Sequence, residues 1–334
     1  MRPGASPGRT DAECACLFIR PCGLVKVEGV LFHFVERKWW YFLFSALLIV
    51  PGVFFLAIGG LRPGIEFKGG TLLEISFATR PDDSAVKAFF TSHGHDEATI
   101  QGVAGGGVEV RTTEMLPPEL VTTDKDLKTT FGPDAKITNS SVVSPSFSAE
   151  LIQNAIKSIA LASLLIVLLI AWAFRNFGWA AFRYGIAAIV ALLHDAAVVL
   201  GIFAILGFFL KIEVDSLFVT AVLTIIGFSV HDTIVVFDRI RENLRLNPGE
   251  ALNPVINYSI MQTLARSVIT SLTVVFTLLA LFLFGGFSVR NFALALLIGI
   301  ISGTYSSIFN ASQIISLWQE IEDRVRHRRL APAT

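Results

Sequence analysis

The chain has 334 residues, of which 53% are hydrophobic and only 16% are charged. Because soluble globular domains carry about 25% charged residues, this composition excludes an ordinary cytosolic enzyme and an intrinsically disordered protein. The 27 basic and 27 acidic residues cancel, so no net positive charge draws nucleic acid to the chain. We expect a protein that lies in the lipid bilayer and has no nucleic-acid partner.

Long apolar stretches recur along the chain, and each is close to the roughly 20 residues needed to cross a bilayer. Four stretches carry no charge, and two more carry one acid each, Asp195 and Asp232. Counting all of them predicts six transmembrane helices, with one alone, a long polar insert, and then five close together. The stretches cover residues 39–61, 158–174, 184–210, 216–237, 267–289 and 291–319.

Lysine and arginine fall mainly on one side of this arrangement. They precede the first stretch, bracket the turn after the second, and follow the fourth and the sixth, whereas the opposite hairpins contain only Lys211 and Arg290. Basic loops face the cytoplasm, so both termini are predicted to be cytoplasmic and the insert, with 8 basic and 13 acidic residues, external. The predicted layout is a tail at 1–36, helix 1 at 37–61, the external domain at 62–150, helices 2–6 at 151–319 with a cytoplasmic loop near 238–262, and a basic tail at 320–334.

The insert shows strand and helix signals in the order βαββαβ, which predicts a small ferredoxin-like domain. Alternating apolar residues favour strands, acids after Pro81 favour a helix start, and the glycines of residues 104–107 favour a hairpin. The predicted strands cover 71–77, 99–103, 108–112 and 135–143, and the predicted helices cover about 81–92 and 117–128.

Neither the insert nor the N-terminal tail has the spacing of a catalytic or metal site. His93 and His95 are interpreted as exposed turn histidines, so the domain is expected to bind or move rather than catalyse. We expect no metal and no cofactor. The tail cysteines lack a fourth zinc ligand unless His33 supplies it, and we interpret them as incidental thiols; they are Cys14, Cys16 and Cys22.

Ionisable residues at membrane depth cost several kcal/mol each and are functional candidates by default. Asp232 lies in the fourth stretch, roughly 9 Å from the cytoplasmic end at Asp238, and Arg266 enters the fifth stretch near the same boundary. The two helices run in opposite directions, so these residues are expected at similar depth. His194 and Asp195 lie near the middle of the third stretch, and His231 precedes Asp232.

Two interpretations of Asp232 and Arg266 remain open. A buried ion pair fixes the register of two helices, whereas a carboxylate that alternates between charged and neutral forms changes its pairing with proton occupancy. A proton crossing 100 mV releases about 2.3 kcal/mol, which biases the packing of two helix arrangements. His194 and His231 either extend a proton path or are hydrogen-bonded core groups.

A glycine-containing segment joins the first stretch to the insert. Its paired glycines beside a strand permit positive φ and close backbone approach. No long helix follows it, as a phosphate-binding loop would require, so nucleotide binding is not expected. The segment reads Gly64, Ile65, Glu66, Phe67, Lys68, Gly69, Gly70, Thr71.

Four motifs in order resemble the SecF branch of the SecD/SecF family of protein-export subunits, over about residues 30–320. They are the glycine segment, the Leu193-His194-Asp195 run, residues 227–243 around Asp232, and residues 281–286 after Arg266. The family commonly has aspartate where this chain has Glu66.

The resemblance implies half of an RND-type transporter, with six membrane helices and an external α+β ferredoxin-like domain between helices 1 and 2. It implies the bacterial inner membrane, SecD as the other half, and the SecYEG channel and translocating preprotein as partners. In this family the proton motive force assists late translocation, and Asp232 and Arg266 match the residues of the proton path. Asp195 matches the Leu-His-Asp motif.

Two other functions fit parts of this pattern less well than protein export. A proton-coupled RND-type exporter of lipids or small molecules has the same architecture, but such exporters usually carry larger external domains than this insert of about 90 residues. An intramembrane hydrolase would use paired aspartates, yet no protease, zinc or nucleophile-elbow motif is present. The sequence therefore predicts a translocation subunit and not an enzyme.

Overall fold

The computed structural model describes residues 33–102, 107–175 and 179–330. The N-terminal cysteines and residues 103–106, most of the predicted hairpin turn, lie outside this range. After a short 3-10 turn at Val35–Arg37, helix α1 covers Lys38–Gly59. A four-residue helix, α2 (Ile65–Lys68), then leads into the insert.

The insert folds into a four-stranded antiparallel sheet with strand order β2-β3-β1-β4. Leu73 and Val110 are completely buried beneath two helices, which contribute Phe90 and Leu127 to the same core. This order and the βαββαβ connectivity confirm the predicted ferredoxin-like fold. The elements are β1 (Gly70–Ser76), α3 (Asp83–Ser92), β2 (Thr99–Gly102), β3 (Val108–Thr112), α4 (Pro117–Phe131) and β4 (Lys136–Val143).

One residue of the insert departs from the sequence interpretation. His95 is not an exposed turn histidine, because its side chain is buried and its ring nitrogens contact Thr113 Oγ1 at 2.7 Å and Glu119 Oε1 at 3.0 Å. It joins the end of α3 to the start of α4. His93 is more open and contacts Asp126 at 3.3 Å.

Within the described residues, six helices are long and apolar enough to cross a membrane, as predicted. The connection predicted near 238–262 is shorter, because the two helices extend beyond the apolar stretches and leave only residues 247–251 between them. The last span likewise continues as helix into the predicted basic tail. The remaining elements are α5 (Pro145–Phe174), α6 (Trp179–Leu210), α7 (Ser216–Leu246), α8 (Leu252–Phe284), α9 (Phe287–Tyr305), a π-helical segment (Ser306–Ala311) and α10 (Ser312–Leu330).

The core of the bundle lies among α6, α7 and the span formed by α9 and α10, whereas α1, α5 and α8 expose most of their apolar side chains. Helices α1 and α6 approach very closely, since a Cβ added to Gly52 would lie 2.7 Å from Cα of Gly201. Small residues at such crossings allow the backbone contact that holds membrane helices together. Two of these central helices carry the acidic candidate residues, Asp195 on α6 and Asp232 on α7.

Candidate functional site

Asp195 lies at the junction of α6, α7 and α9, and its side chain is 1% exposed. The hydroxyls of Ser229 and Ser306 donate to its Oδ2 at 2.5 and 2.6 Å, and Ser302 donates to Oδ1 at 3.0 Å. His194 Nδ1 lies 3.0 Å from Oδ1. Because hydroxyls both donate and accept, this cluster has partners for the charged carboxylate and for the protonated acid.

The sequence of α9 permits this gathering of hydroxyls. Gly303 faces Ser229, and a Cβ at Gly303 would lie 3.2 Å from that of Ser229 and 3.6 Å from Asp195 Oδ2. The α-helix changes to a π-helix at Ser306, and π-helical turns frequently occur at functional sites. Ser307 next along the chain donates to the backbone oxygen of Ser229 at 3.0 Å.

Asp232 lies one turn along α7 from Ser229 and is 3% exposed. Its Oδ2 has no hydrogen-bond partner among the described residues. Asp195 and Asp232 therefore lie at similar depth in the bundle but differ in their surroundings. Hydrogen-bond donors enclose the Asp195 carboxyl group, whereas Asp232 Oδ2 has no donor among the described residues.

The sequence predicts Asp232 and Arg266 at similar depth on neighbouring helices, but they do not form an ion pair in the structure. Arg266 is exposed, and no ion pair joins these two described residues. The cause is the rotation of α8, which turns Thr263 and Ser267 into the bundle and Arg266 outward. His231 is exposed too. Asp195, Asp232 and His194 therefore lie inside the bundle, whereas Arg266 and His231 lie on its outer surface.

The glycine segment fastens the start of α7. The backbone N–H of Ser216 donates to Glu66 Oε2 at 2.7 Å, and the N–H of Gly64 donates to the Val214 carbonyl at 2.8 Å. The N–H of Val214 donates in turn to the Arg62 carbonyl at 2.8 Å. Glutamate at position 66 is therefore long enough to cap α7.

The paired glycines are required by their backbone. Gly69 and Gly70 have φ values of 77° and 127°, a region that L side chains rarely adopt. A Cβ on Gly70 would also collide with the carbonyl oxygen of Thr112. This turn sets Thr71 into the sheet, where its hydroxyl oxygen accepts from the N–H of Met115 at 2.8 Å.

A cleft of about 800 Å³ separates the helix-free face of the sheet from the bundle. Arg111 on β3 reaches across it and forms ion pairs with Glu109 and with Glu213 in the α6–α7 connection. Asp215 lies at the same edge, where burial raises its pKa, the Phe218 N–H opposes this rise, and the nearby Glu66 carboxylate adds to it. The cleft is thus rich in carboxylates and is bridged by one arginine.

The hydroxyl partners of Asp195 are not predictable from the sequence. Ser229, Ser302 and Ser306 lie in apolar runs and carry no motif of their own. Serine in membrane helices does hydrogen-bond across helix interfaces, but the sequence does not show which helix faces meet.

Two family models match the chain. One, described as protein export membrane protein SecD/SecF, C-terminal, matches residues 123–321. The other, described as the SecD/SecF GG motif, matches residues 54–79 and includes the glycine segment.

Relatives match over most of the chain. This chain is 48% identical to the protein translocase subunit SecF of Thermobaculum terrenum, and the match covers 89% of this chain and 97% of that one. It is 35% identical to the protein translocase subunit SecDF of Bacillus subtilis, covering 86% of this chain and 38% of that one. The crystal structure of SecDF, a translocon-associated membrane protein from Thermus thermophilus, superposes with a TM-score of 0.77 at 32% identity, covering 90% of this chain and 40% of that one.

Proposed function

We propose that this chain couples proton movement to protein export, from the premise that it belongs to the SecD/SecF family and works in the Sec protein-export machinery. It is a multi-pass membrane protein and a transport component. In the proposal, the proton motive force drives a change in helix packing that assists late translocation of preproteins through the SecYEG channel.

The observation that carries the proposal is Asp232, a carboxyl group at membrane depth with a buried oxygen that accepts a hydrogen bond from none of the described residues. A charged carboxylate in this position is costly without a partner, whereas a protonated one costs far less. Asp232 therefore needs a cation when it loses its proton. Arg266 on the neighbouring helix is the proposed partner, reached by rotation of α8 or by a rearrangement of the outward face.

The proposed partner is SecD as the other half of the transporter. This chain spans 40% of the SecDF structure that it resembles, and SecDF of Bacillus subtilis carries a matching segment within a longer chain. Arg266 and His231 are exposed on the membrane-spanning surface, where lipid is a poor environment for them. A second half would cover these residues.

The proposed location is the bacterial inner membrane, with both termini in the cytoplasm. Lysine and arginine around the ends of the helices support this orientation through the positive-inside rule. The ferredoxin-like domain then lies outside, next to the emerging preprotein. Its acidic cleft faces the membrane surface from that side.

The test measures gradient-dependent preprotein release from inverted vesicles, together with the yield of assembled subunits. Asp232→Asn keeps the size of the side chain but does not titrate, so we expect normal yield and loss of at least nine-tenths of the gradient-dependent release. Asp232→Asn/Arg266→Gln removes both charges and is expected to stay inactive. Asp238→Asn, at an exposed position further along α7, is the matched control and should release normally.

A static ion pair gives a different result. It would make Asp232→Asn lose yield, because breaking a buried pair costs about 3–5 kcal/mol, and the double variant would recover both yield and release. Full recovery of release in the double variant would contradict proton coupling through Asp232.

A further inference from the structure

A buried polar stripe runs along the last span of the bundle. Its side chains recur every three or four residues, so they share one helix face, and none is more than 8% exposed. The stripe crosses the π-helical segment, from α9 into α10. Its members are Ser302, Ser306, Asn310, Gln313 and Ser316.

The stripe joins the Asp195 cluster to the end of the bundle remote from the ferredoxin-like domain. At one end, Ser302 and Ser306 donate to Asp195. Beyond Ser316 the same face reaches Gln319, whose Oε1 accepts from Arg183 at 2.6 Å. Arg183 and Asp195 are twelve residues apart on α6, so the stripe covers about 18 Å of depth.

The middle of the stripe contains polar atoms that the protein itself does not satisfy. Gln313 is fully buried, and neither its Oε1 nor its Nε2 has a partner among the described residues. Asn310 donates to Ser45 on α1 at 2.8 Å, but its Oδ1 accepts from no described group. Buried polar groups of this kind are normally satisfied by internal water, which makes about three hydrogen bonds.

Helix packing alone does not account for these groups. Polar side chains that hold membrane helices together form hydrogen bonds across the interface, as Asn310 does to Ser45. Gln313 forms none with the residues that the structure describes, and an apolar side chain of the same size would pack there at lower cost. The amide is therefore explained by a polar occupant of the stripe.

We propose that this stripe is a hydrated path by which Asp195 exchanges protons with the cytoplasmic side, a role that rests on the proposed function. A proton leaving the Asp195 carboxyl group passes to the Ser306 oxygen as Ser306 gives its own proton to the first water. Waters ordered by Asn310 and Gln313 carry the charge onward by the same exchange of O–H bonds. The amides orient water and do not titrate.

The path is separate from the outward face that carries Arg266. Asp195, its three serine partners and the stripe all lie inside this chain, so the route needs no residue from a second half. Ser307 and Thr233, whose hydroxyl oxygens are 2.8 Å apart, lie between the cluster and the next turn of α7, which carries Asp232. The proposal assigns positioning roles to Asn310 and Gln313.

Water access is tested by cysteine labelling in the full chain, after Cys14→Ser, Cys16→Ser and Cys22→Ser. Gln313→Cys should react with a small charged methanethiosulfonate reagent added to the cytoplasmic face of inverted vesicles. Ile315→Cys, at a buried apolar position on the same helix, is the control. We expect labelling at 313 to be at least tenfold faster; equally slow labelling at both positions overturns the proposal.

Proton transfer is tested by Gln313→Leu. We expect unchanged yield and thermal stability, at least tenfold less gradient-dependent release, and recovery with Gln313→Ser, which leaves room for water. The control Ser312→Ala removes a buried hydroxyl that bonds only its own helix, at the Ile308 carbonyl, and should release normally. Normal release by Gln313→Leu overturns the path.

The two proposals fail differently. If Asp232→Asn releases normally, the proposed coupling is wrong, and the labelling at 313 still decides whether the stripe is hydrated. If Asp232→Asn is inactive while Gln313→Leu is active and position 313 stays unlabelled, only the stripe is wrong.

Discussion

Asp195 and Asp232 lie in the same bundle but differ in the hydrogen-bond partners of their carboxyl groups. Asp195 has three hydroxyl donors and a histidine nitrogen within 3.0 Å. Asp232 has a buried oxygen with no such partner in the part of the chain that the structure describes. Hydrogen bonds to a carboxylate favour its charged form, and burial disfavours it. The same residue type is therefore enclosed by hydrogen-bond donors in one place and leaves a buried oxygen without a described partner in the other.

We predict that Asp195→Asn keeps the fold but loses gradient-dependent preprotein release. The amide keeps an acceptor, and the serine hydroxyls accept from its N–H groups, so assembled yield should match that of the parent chain. Gradient-dependent release should fall at least tenfold, because the amide does not exchange protons. Measuring both quantities in inverted vesicles tests the prediction, and normal release would show that Asp195 only supports the fold.

Asp195→Leu provides the contrasting result for the same site. It leaves Ser229 and Ser302 without their acceptor, whereas Ser306 keeps the Gly303 carbonyl at 3.2 Å. Each unsatisfied buried polar group costs about 1–3 kcal/mol. Yield and melting temperature should both fall well below those of Asp195→Asn. Equal stability of the two variants would contradict the hydrogen bonds described here.

Asp124 gives a pH-dependent prediction in the ferredoxin-like domain. The hydrogen bond from Lys128 lowers its pKa, partial burial opposes this, and the Ile137 N–H, 3.1 Å from Oδ1, lowers it further. The folded pKa of Asp124 lies below the unfolded value of about 4. The ionised carboxylate therefore stabilises the folded domain above that pH, and this contribution is lost as the pH falls through the folded pKa.

Asp124→Ala should expose the Ile137 amide. Loss of a hydrogen bond worth about 1 kcal/mol should speed hydrogen exchange at Ile137 about fivefold at neutral pH. The difference between variant and parent should disappear as the pH falls through the folded pKa of Asp124. Asp134→Ala, at an exposed position, is the control, and an unchanged exchange rate in Asp124→Ala would contradict the proposed link between α4 and β4.

At the scale of elements, the glycine segment and Arg111 fix α7 relative to the ferredoxin-like domain. Glu66 accepts from the Ser216 N–H at the start of α7, while Arg111 on β3 pairs with Glu213 in the preceding connection. The helix that carries Asp232 is thus held at its first turn by the domain.

We predict that Glu66→Ala loosens the first turn of α7. Loss of a side-chain cap costs about 1 kcal/mol, so hydrogen exchange at the Ser216 amide should be about fivefold faster. Glu66→Gln keeps the acceptor oxygen and should stay within about twofold of the parent. If both variants exchange equally fast, the carboxylate charge matters rather than the hydrogen bond.

The elements were largely predictable, and their mutual rotation was not. Apolar length and turn residues gave the six helices and the βαββαβ order, because these depend on neighbours along the chain. Arg266 was expected to face Asp232, but whether residue 266 or 267 faces α7 depends on packing. The hydroxyls around Asp195 are not predictable for the same reason. The prediction of an exposed His95 is wrong because its partners Thr113 and Glu119 are distant in sequence.

At the scale of the whole molecule, the membrane-spanning surface of the chain carries ionisable side chains that lipid would not solvate. Its central helices are buried, yet Arg266 and His231 face outward from membrane-spanning helices. Ionisable side chains in lipid cost several kcal/mol, and such residues normally face a bundle interior or a water-filled cavity. The surface around α7 and α8 is therefore the proposed contact with the SecD half.

We predict that purification of the tagged chain in mild detergent recovers SecD at equal stoichiometry, and that Arg266→Glu reduces this recovery at least tenfold. The change reverses a charge at the proposed interface, where unlike charges set the register and like charges cost several kcal/mol. Arg290→Glu is the control, since Arg290 lies in the first turn of α9, remote from Arg266 along the chain, with its guanidinium 5.0 Å from the Phe282 ring. Recovery of the chain as a stable monomer that still supports export would contradict the two-half assembly, and equal recovery from both variants would move the interface away from α8.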